Sequence, residues 1–75
     1  YGAPVGRKYI QRLGIIRAVD EFSQLYGLRA LRLHQLSGNR TGQYAMILTA
    51  NYRLIIEPTT EGSILILGVE DYHGD

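Results

Sequence analysis

The chain contains no cysteine, which excludes disulfide bridges and thiolate metal sites and leaves stability to packing or to a partner. Long apolar runs are missing too. The stretch Ile64-Leu65-Ile66-Leu67 falls far short of the roughly 20 residues that a membrane-spanning helix needs. The first residues lack the charged-then-apolar order of a signal peptide, so the expectation is a soluble cytoplasmic protein. Charge of one sign is scarce: Lys and Arg number 8 against 7 Asp and Glu, a formal net charge of +1, which argues only weakly for a polyanionic partner. The distribution says more than the sum. Every basic residue lies at or before Arg53, whereas Glu57, Glu61, Glu70, Asp71 and Asp75 close the chain. The first two thirds can therefore build a basic surface.

What is present is apolar: 45% of the 75 residues, too much for the disordered class. A chain of this length forms one domain, 1–75, and buries only roughly 60% of its unfolded surface, so a single modest core is expected.

Apolar residues recur in steps of three and four at Val5, Tyr9, Leu13, Ile16, Val19, Phe22 and Tyr26, the spacing of one face of a helix. Pro4 suits the first turn and Gly27 the stop. Gly14 weakens the middle, so either one helix or a pair bent near Gly14 fits. After Gly27 the period changes: Leu31 and Leu33 alternate with Arg32 and His34 as in a half-buried strand, and Ser37-Gly38-Asn39-Arg40-Thr41-Gly42 supplies turn chemistry. Residues 43–48, 52–57 and 63–69 read as strands. The short turns between them make the sheet antiparallel.

The pleat assigns faces. Tyr44, Met46, Leu48, Tyr52, Leu54, Ile56, Ile64 and Ile66 share one face, nearly all apolar and the natural seat of the helix. The opposite face carries Ala45, Ile47, Ile55, Leu65, Leu67 and Val69, with Arg53 and Glu57, and with Asp71 and His73 if the last strand keeps its phase. An apolar centre ringed by ionisable groups either binds something or is covered, so function is expected there. Tyr9, Tyr26, Tyr44 and Tyr52 fall on core faces and are expected to pack rather than stack on bases. Arg7, Lys8, Arg12 and Arg17 turn too far round the helix to form one stripe, and a solvated face is expected for them.

Three segments carry a resemblance: Leu33-His34-Gln35-Leu36-Ser37-Gly38-Asn39-Arg40, Asn51-Tyr52-Arg53-Leu54-Ile55-Ile56-Glu57-Pro58 and Gly68-Val69-Glu70-Asp71-Tyr72-His73-Gly74. Together with Lys8-Tyr9-Ile10-Gln11-Arg12-Leu13 they are similar in order and spacing to the HigB-like plasmid-maintenance killer proteins of the RelE/ParE superfamily. The resemblance covers most of the chain. It implies an α+β fold with an N-terminal helix or helical hairpin packed on a small antiparallel sheet of three to four strands. It also implies a type II toxin that cleaves mRNA on the ribosome, and a helix-turn-helix, HigA-like antitoxin as partner. Similar toxins carry a further N-terminal strand ahead of the position of Tyr1.

Cleavage of RNA by its own 2′-hydroxyl requires a base for that hydroxyl, cations for the charge growing on phosphorus and help for the departing 5′-oxygen, with no cofactor or metal. Arg53 offers a permanently charged fork suited to phosphate, His73 exchanges protons near neutral pH, Asp71 can orient a histidine or act as base, and Tyr72 can donate to phosphate. By resemblance, Arg53 matches the arginine of the family's Tyr-Arg strand and Asp71-Tyr72-His73 its C-terminal catalytic triplet. Arg40 and His34 are further RNA-binding candidates. Where many relatives carry lysine in the turn after the Leu-His strand, this chain has Ser37, with Arg40 as the nearby cation. The alternatives are a ParE-like inhibitor of DNA gyrase on the same scaffold, and a catalytically inactive homologue that only binds antitoxin or oligomerises.

Overall fold

The structure, a computed structural model, describes residues 2–71. Helix α1 (Ala3–Ala18) begins with proline in its first turn, where the missing N–H would have had no intrahelical partner. It runs through Gly14 without a break. The bend lies further on, where Val19 is extended (φ −83°, ψ 145°) and still donates its N–H to the Ile15 carbonyl. A 3₁₀ turn (Phe22–Gly27) follows, opened by Gln24. The Gln24 side-chain oxygen accepts the N–H groups of Asp20 and Glu21 at 2.6 and 3.0 Å, satisfying donors that the start of a helix leaves orphaned. A bent helical pair is therefore present, with the bend set by this cap and not by Gly14.

A second 3₁₀ turn (Arg29–Leu31) replaces the start of the strand expected from Leu31. Arg32 then adopts the left-handed conformation (φ 49°) and reverses the chain, so strand β1 is only His34–Gln35. Strands β2 (Tyr44–Ile47), β3 (Tyr52–Pro58) and β4 (Ile64–Asp71) complete an antiparallel sheet in the order β1-β2-β3-β4. The fold is α+β, an N-terminal helix packed on four antiparallel strands. Among the described residues no helix is long and apolar enough to cross a membrane.

The core lies between helix and sheet. Met46, Leu48, Leu54 and Ile56 supply the sheet side, Val5 the helix, and Leu25 and Leu31 the two 3₁₀ turns, so the even-numbered face of β2 and β3 is the buried one as the pleat predicts. Tyr9, Tyr44 and Tyr52 pack against it. Tyr26 does not: it is an exposed residue whose ring meets Phe22 and Tyr44 edge-on at 5.9 and 6.2 Å.

Arg12 departs furthest from expectation. It is only 6% exposed, because it occupies the step between Tyr9 and Ile16 on the face that packs on the sheet. Its Nε donates to the Ile47 carbonyl at the end of β2 (3.0 Å), and its Nη1 donates to Gln11 Oε1 (3.2 Å). Burial lowers its pKa, yet no carboxylate among the described residues stands at ion-pairing distance from it.

Strand β4 carries a bulge. Ile56 faces Ile66 while its neighbour Ile55 faces Gly68, which leaves Leu67 as the extra residue. Gly68 has φ 151°, a backbone region that side-chain-bearing residues rarely adopt. Beyond the bulge the two faces exchange parity. Val69 lies opposite Leu54 on the core side, Glu70 opposite Arg53 on the outer side, and Asp71 opposite Tyr52 on the core side.

Candidate functional site

Two rows of the sheet's outer face carry the candidate residues. His34, Ala45, Ile55 and Gly68 are successive cross-strand partners, and Ile47, Arg53 and Glu70 form the next row. Directly opposed residues share a face, so the register puts His34, Arg53 and Glu70 on the side away from α1. The centre of that side is covered: Ala45 and Ile55 are 2% and 3% exposed.

Arg40 reaches this face from the 3₁₀ turn Gly38–Arg40 that precedes β2. Its Nη1 and Nη2 donate to Glu70 Oε1 and Oε2 at 2.8 and 2.6 Å, and its Nε donates to Gln43 Oε1 at 3.0 Å. Arg40 belongs to the connection before β2 and Glu70 to β4, so the bridge spans β3 above buried Ile55. The turn that carries it is cross-braced: the Arg40 N–H donates to the Ser37 carbonyl, the Gln43 N–H to the Arg40 carbonyl, and the Thr41 hydroxyl to the Gly38 carbonyl. Gly38 and Gly42, at φ 69° and 93°, give the turn the left-handed residues on either side that its shape requires.

The hydrogen bonds from Arg40 hold the Glu70 carboxyl below the usual carboxylate range, and the same contact raises the Arg40 pKa. A depressed folded-state pKa means that the pair's contribution is present above the unfolded-state value and is lost as pH falls through the folded one. The expected result of an NMR titration is a Glu70 midpoint below that of a model glutamate. Arg40→Gln should move it upward, and an unchanged midpoint in that variant would show that the pair does not form in solution.

Arg53 turns its guanidinium to the β2–β3 turn. Its Nη1 donates to the carbonyls of Thr49 (2.8 Å), Tyr52 (3.2 Å) and Ala50 (3.4 Å). It is thus a brace for the Thr49-Ala50-Asn51 turn as well as a cation on the outer face. His34 is exposed on β1, with Nδ1 placed 3.2 Å from the Arg32 carbonyl oxygen, which a protonated Nδ1 donates to.

The expected grouping of Arg53 with Asp71 on one face does not hold, because the bulge at Leu67 puts Asp71 on the side of Tyr52. Glu70 takes the place opposite Arg53. Sequence reasoning passed over Glu70, although a lone glycine inside an apolar strand, here Gly68, is a recognised sign of a bulge. Tyr72 and His73 lie outside the described residues. Arg40 is not an unengaged loop cation but one half of a salt bridge.

A separate cleft of about 420 Å³ opens between the first turns of α1 and the end of β4, lined by Gly2, Val5, Gly6, Tyr9, Gly68 and Val69. None of the predicted site residues lines it. Its walls are apolar side chains and glycines, so it suits an apolar segment and not a phosphate. Among the described residues no group of three His, Cys, Asp or Glu side chains could hold a metal ion. The outer face, in contrast, offers fixed guanidinium groups, a carboxylate and a histidine, which is chemistry for binding an anion and for moving a proton. No family model matches this chain, and no curated protein matches it.

Proposed function

We propose that the chain is a HigB-like toxin of the RelE/ParE superfamily that holds the backbone of mRNA on the outer face of its sheet and cleaves it with the residues at the end of β4. The observation that carries this reading is the placement of Arg40, Arg53 and His34 on or over one face, with Arg53 opposite Glu70, the residue before Asp71-Tyr72-His73, and His34 on the far edge strand. Arginine forks match phosphate oxygens in pairs. In the reaction the ribose 2′-oxygen attacks the adjacent phosphorus and gives its proton to His73 as base. The phosphorus–5′-oxygen bond breaks, and the leaving oxygen takes a proton from the enzyme. Arg53 neutralises the charge that builds on the non-bridging oxygens, and Tyr72 donates to the same phosphate. A helix-turn-helix antitoxin of the HigA kind would silence the protein by covering this face.

A second reading is a homologue that binds antitoxin without cleaving. Two observations favour it: Arg53 and Asp71 lie on opposite sides of the sheet, and the Arg40 fork is already filled by Glu70. A ParE-like gyrase inhibitor on the same scaffold is the remaining member of this binding class. Expression of the chain and its His73→Ala variant in growing bacteria, with mRNA ends mapped by primer extension, separates these readings. The expected result is translation-dependent cleavage that falls by roughly 100-fold or more in the variant, the usual scale for loss of a general acid or base. Intact mRNA with growth arrest and altered plasmid supercoiling would replace the nuclease with the gyrase inhibitor. Intact mRNA with normal growth would leave the antitoxin-binding homologue.

A further inference from the structure

The pair between Arg40 and Glu70 uses more of the arginine than a surface ion pair needs. Two nitrogens of the fork meet the two carboxylate oxygens at 2.8 and 2.6 Å, while Nε is held at 3.0 Å by Gln43. The fork is therefore aimed before anything binds, by a turn braced through Ser37, Gly38 and Gln43. Two oxygens on one centre, carrying negative charge and facing a planar fork, are equally the geometry of a phosphate group.

Glu70 is held by hydrogen bonds and not by burial. The two side chains are 39% and 49% exposed, so water and ions reach the pair and screen it, and a competing anion can take the fork while the Glu70 side chain turns into solvent. The carboxylate also stands in register opposite Arg53 on the neighbouring strand. An anion replacing it would thus lie beside a second arginine-bearing position.

We propose that the Arg40 fork is a phosphate site whose resident occupant is the carboxylate of Glu70, so that Glu70 acts as a built-in competitor that a phosphate group must displace. This rests on the reading of the outer face as an RNA-binding surface and adds a regulator to it. With Glu70 in place the cation is neutralised and the face is a poor non-specific anion binder. An RNA positioned by other contacts still displaces the carboxylate, because those contacts hold the phosphate at the fork and raise its effective concentration there.

The test uses the whole chain as wild type, Glu70→Gln, Arg40→Gln and the double variant, with Glu70→Ala as a second way to remove the charge. Circular dichroism confirms the fold of each. Two probes are titrated at fixed ionic strength, inorganic pyrophosphate and an uncleavable 2′-O-methylated single-stranded RNA, and the Arg40 Nε–H resonance is followed by NMR. Removing the Glu70 charge is expected to tighten both probes by roughly two- to fivefold, the range that exposed ion pairs span. The gain should vanish when Arg40 is also Gln, and the Arg40 resonance should shift on saturation in the wild type. An equal gain with and without Arg40 would be a bulk charge effect and would overturn the proposal, as would no gain in a folded variant. A gain with pyrophosphate and no RNA binding supports the competitor and removes RNA as its ligand. RNA binding that is the same in all the proteins keeps the RNA reading and overturns the competitor. No binding of either probe to any variant overturns both.

Discussion

Leu54→Ala is expected to lower the free energy of unfolding by about 2–5 kcal/mol, the usual cost of emptying a fully buried leucine site. Leu54 is 0% exposed and sits in β3 between Met46 on β2 and Val69 on β4. Both neighbours are paired strands, so they cannot close over the space without breaking the ladder. A chain of 75 residues has a total stability on the order of 4–11 kcal/mol at typical per-residue values. The loss is therefore about a fifth of the total or more and should bring the thermal midpoint down by about 8 °C or more. Leu65→Ala is the matched control, since Leu65 is 48% exposed, and should cost under about 1 kcal/mol. Urea unfolding followed by circular dichroism measures both. Equal costs would mean that the helix does not cover this face of the sheet.

Substitutions at Arg12 should fall in an order that distinguishes a buried anchor from a surface charge. Arg12→Ala removes the stem that fills the helix–sheet interface and leaves the Ile47 carbonyl without its donor, at an expected cost of about 2–3 kcal/mol. Arg12→Met keeps most of the stem and brings no charge to desolvate. It should cost at most about half as much, because replacing a buried ionic group by a well-packed apolar one is often close to neutral. Arg12→Lys keeps the charge but has no donor at the Nε position, so it should fall between the two. The same urea experiment ranks them. Three variants indistinguishable from wild type would place Arg12 in solvent, contrary to its 6% exposure and its 3.0 Å bond across the interface.

The elements whose pattern reflects burial were legible in the sequence. Alternation over β2 and β3 identified Met46, Leu54 and Ile56 as core because those strands lie inside the sheet, where one face alone is covered by α1. The helical steps from Val5 to Ile16 were equally visible, yet Arg12 was expected in solvent because Arg7, Lys8, Arg12 and Arg17 do not form one stripe on the helix. Spacing was the better guide, since a long stem can fill a core position while its head finds a carbonyl. Gly14 suggested a bend because glycine costs about 1 kcal/mol in a helix. Packing of the adjacent Ile15 and Ile16 against the core offsets that cost, and the chain bends where Gln24 caps the following turn. The Leu31–Leu33 alternation came from a 3₁₀ turn and a left-handed Arg32 rather than from a strand, a case in which two different backbones place apolar residues two apart.

The candidate site was legible only in part. Arg53 lies on the outer face, as strand parity predicts, while Arg40 and His34, which parity did not assign to a face, lie over it and on it. Parity failed at Asp71, because counting by twos assumes that every residue advances the pleat, and Leu67 does not. Long-range pairing was also invisible: nothing local to Arg40 indicates that a residue 30 positions later occupies its fork.

That bulge makes the length of β4 a determinant of surface chemistry independent of composition. Removing Val69 alone, with the bulge at Leu67 kept, would leave every acid and every base in the chain, yet would bring Asp71 opposite Arg53 in place of Glu70 and withdraw the Glu70 carboxylate from the Arg40 fork. Lineages descended from such a protein can therefore retune this face by a one-residue insertion or deletion, and comparisons that score substitutions while ignoring gaps would miss the change.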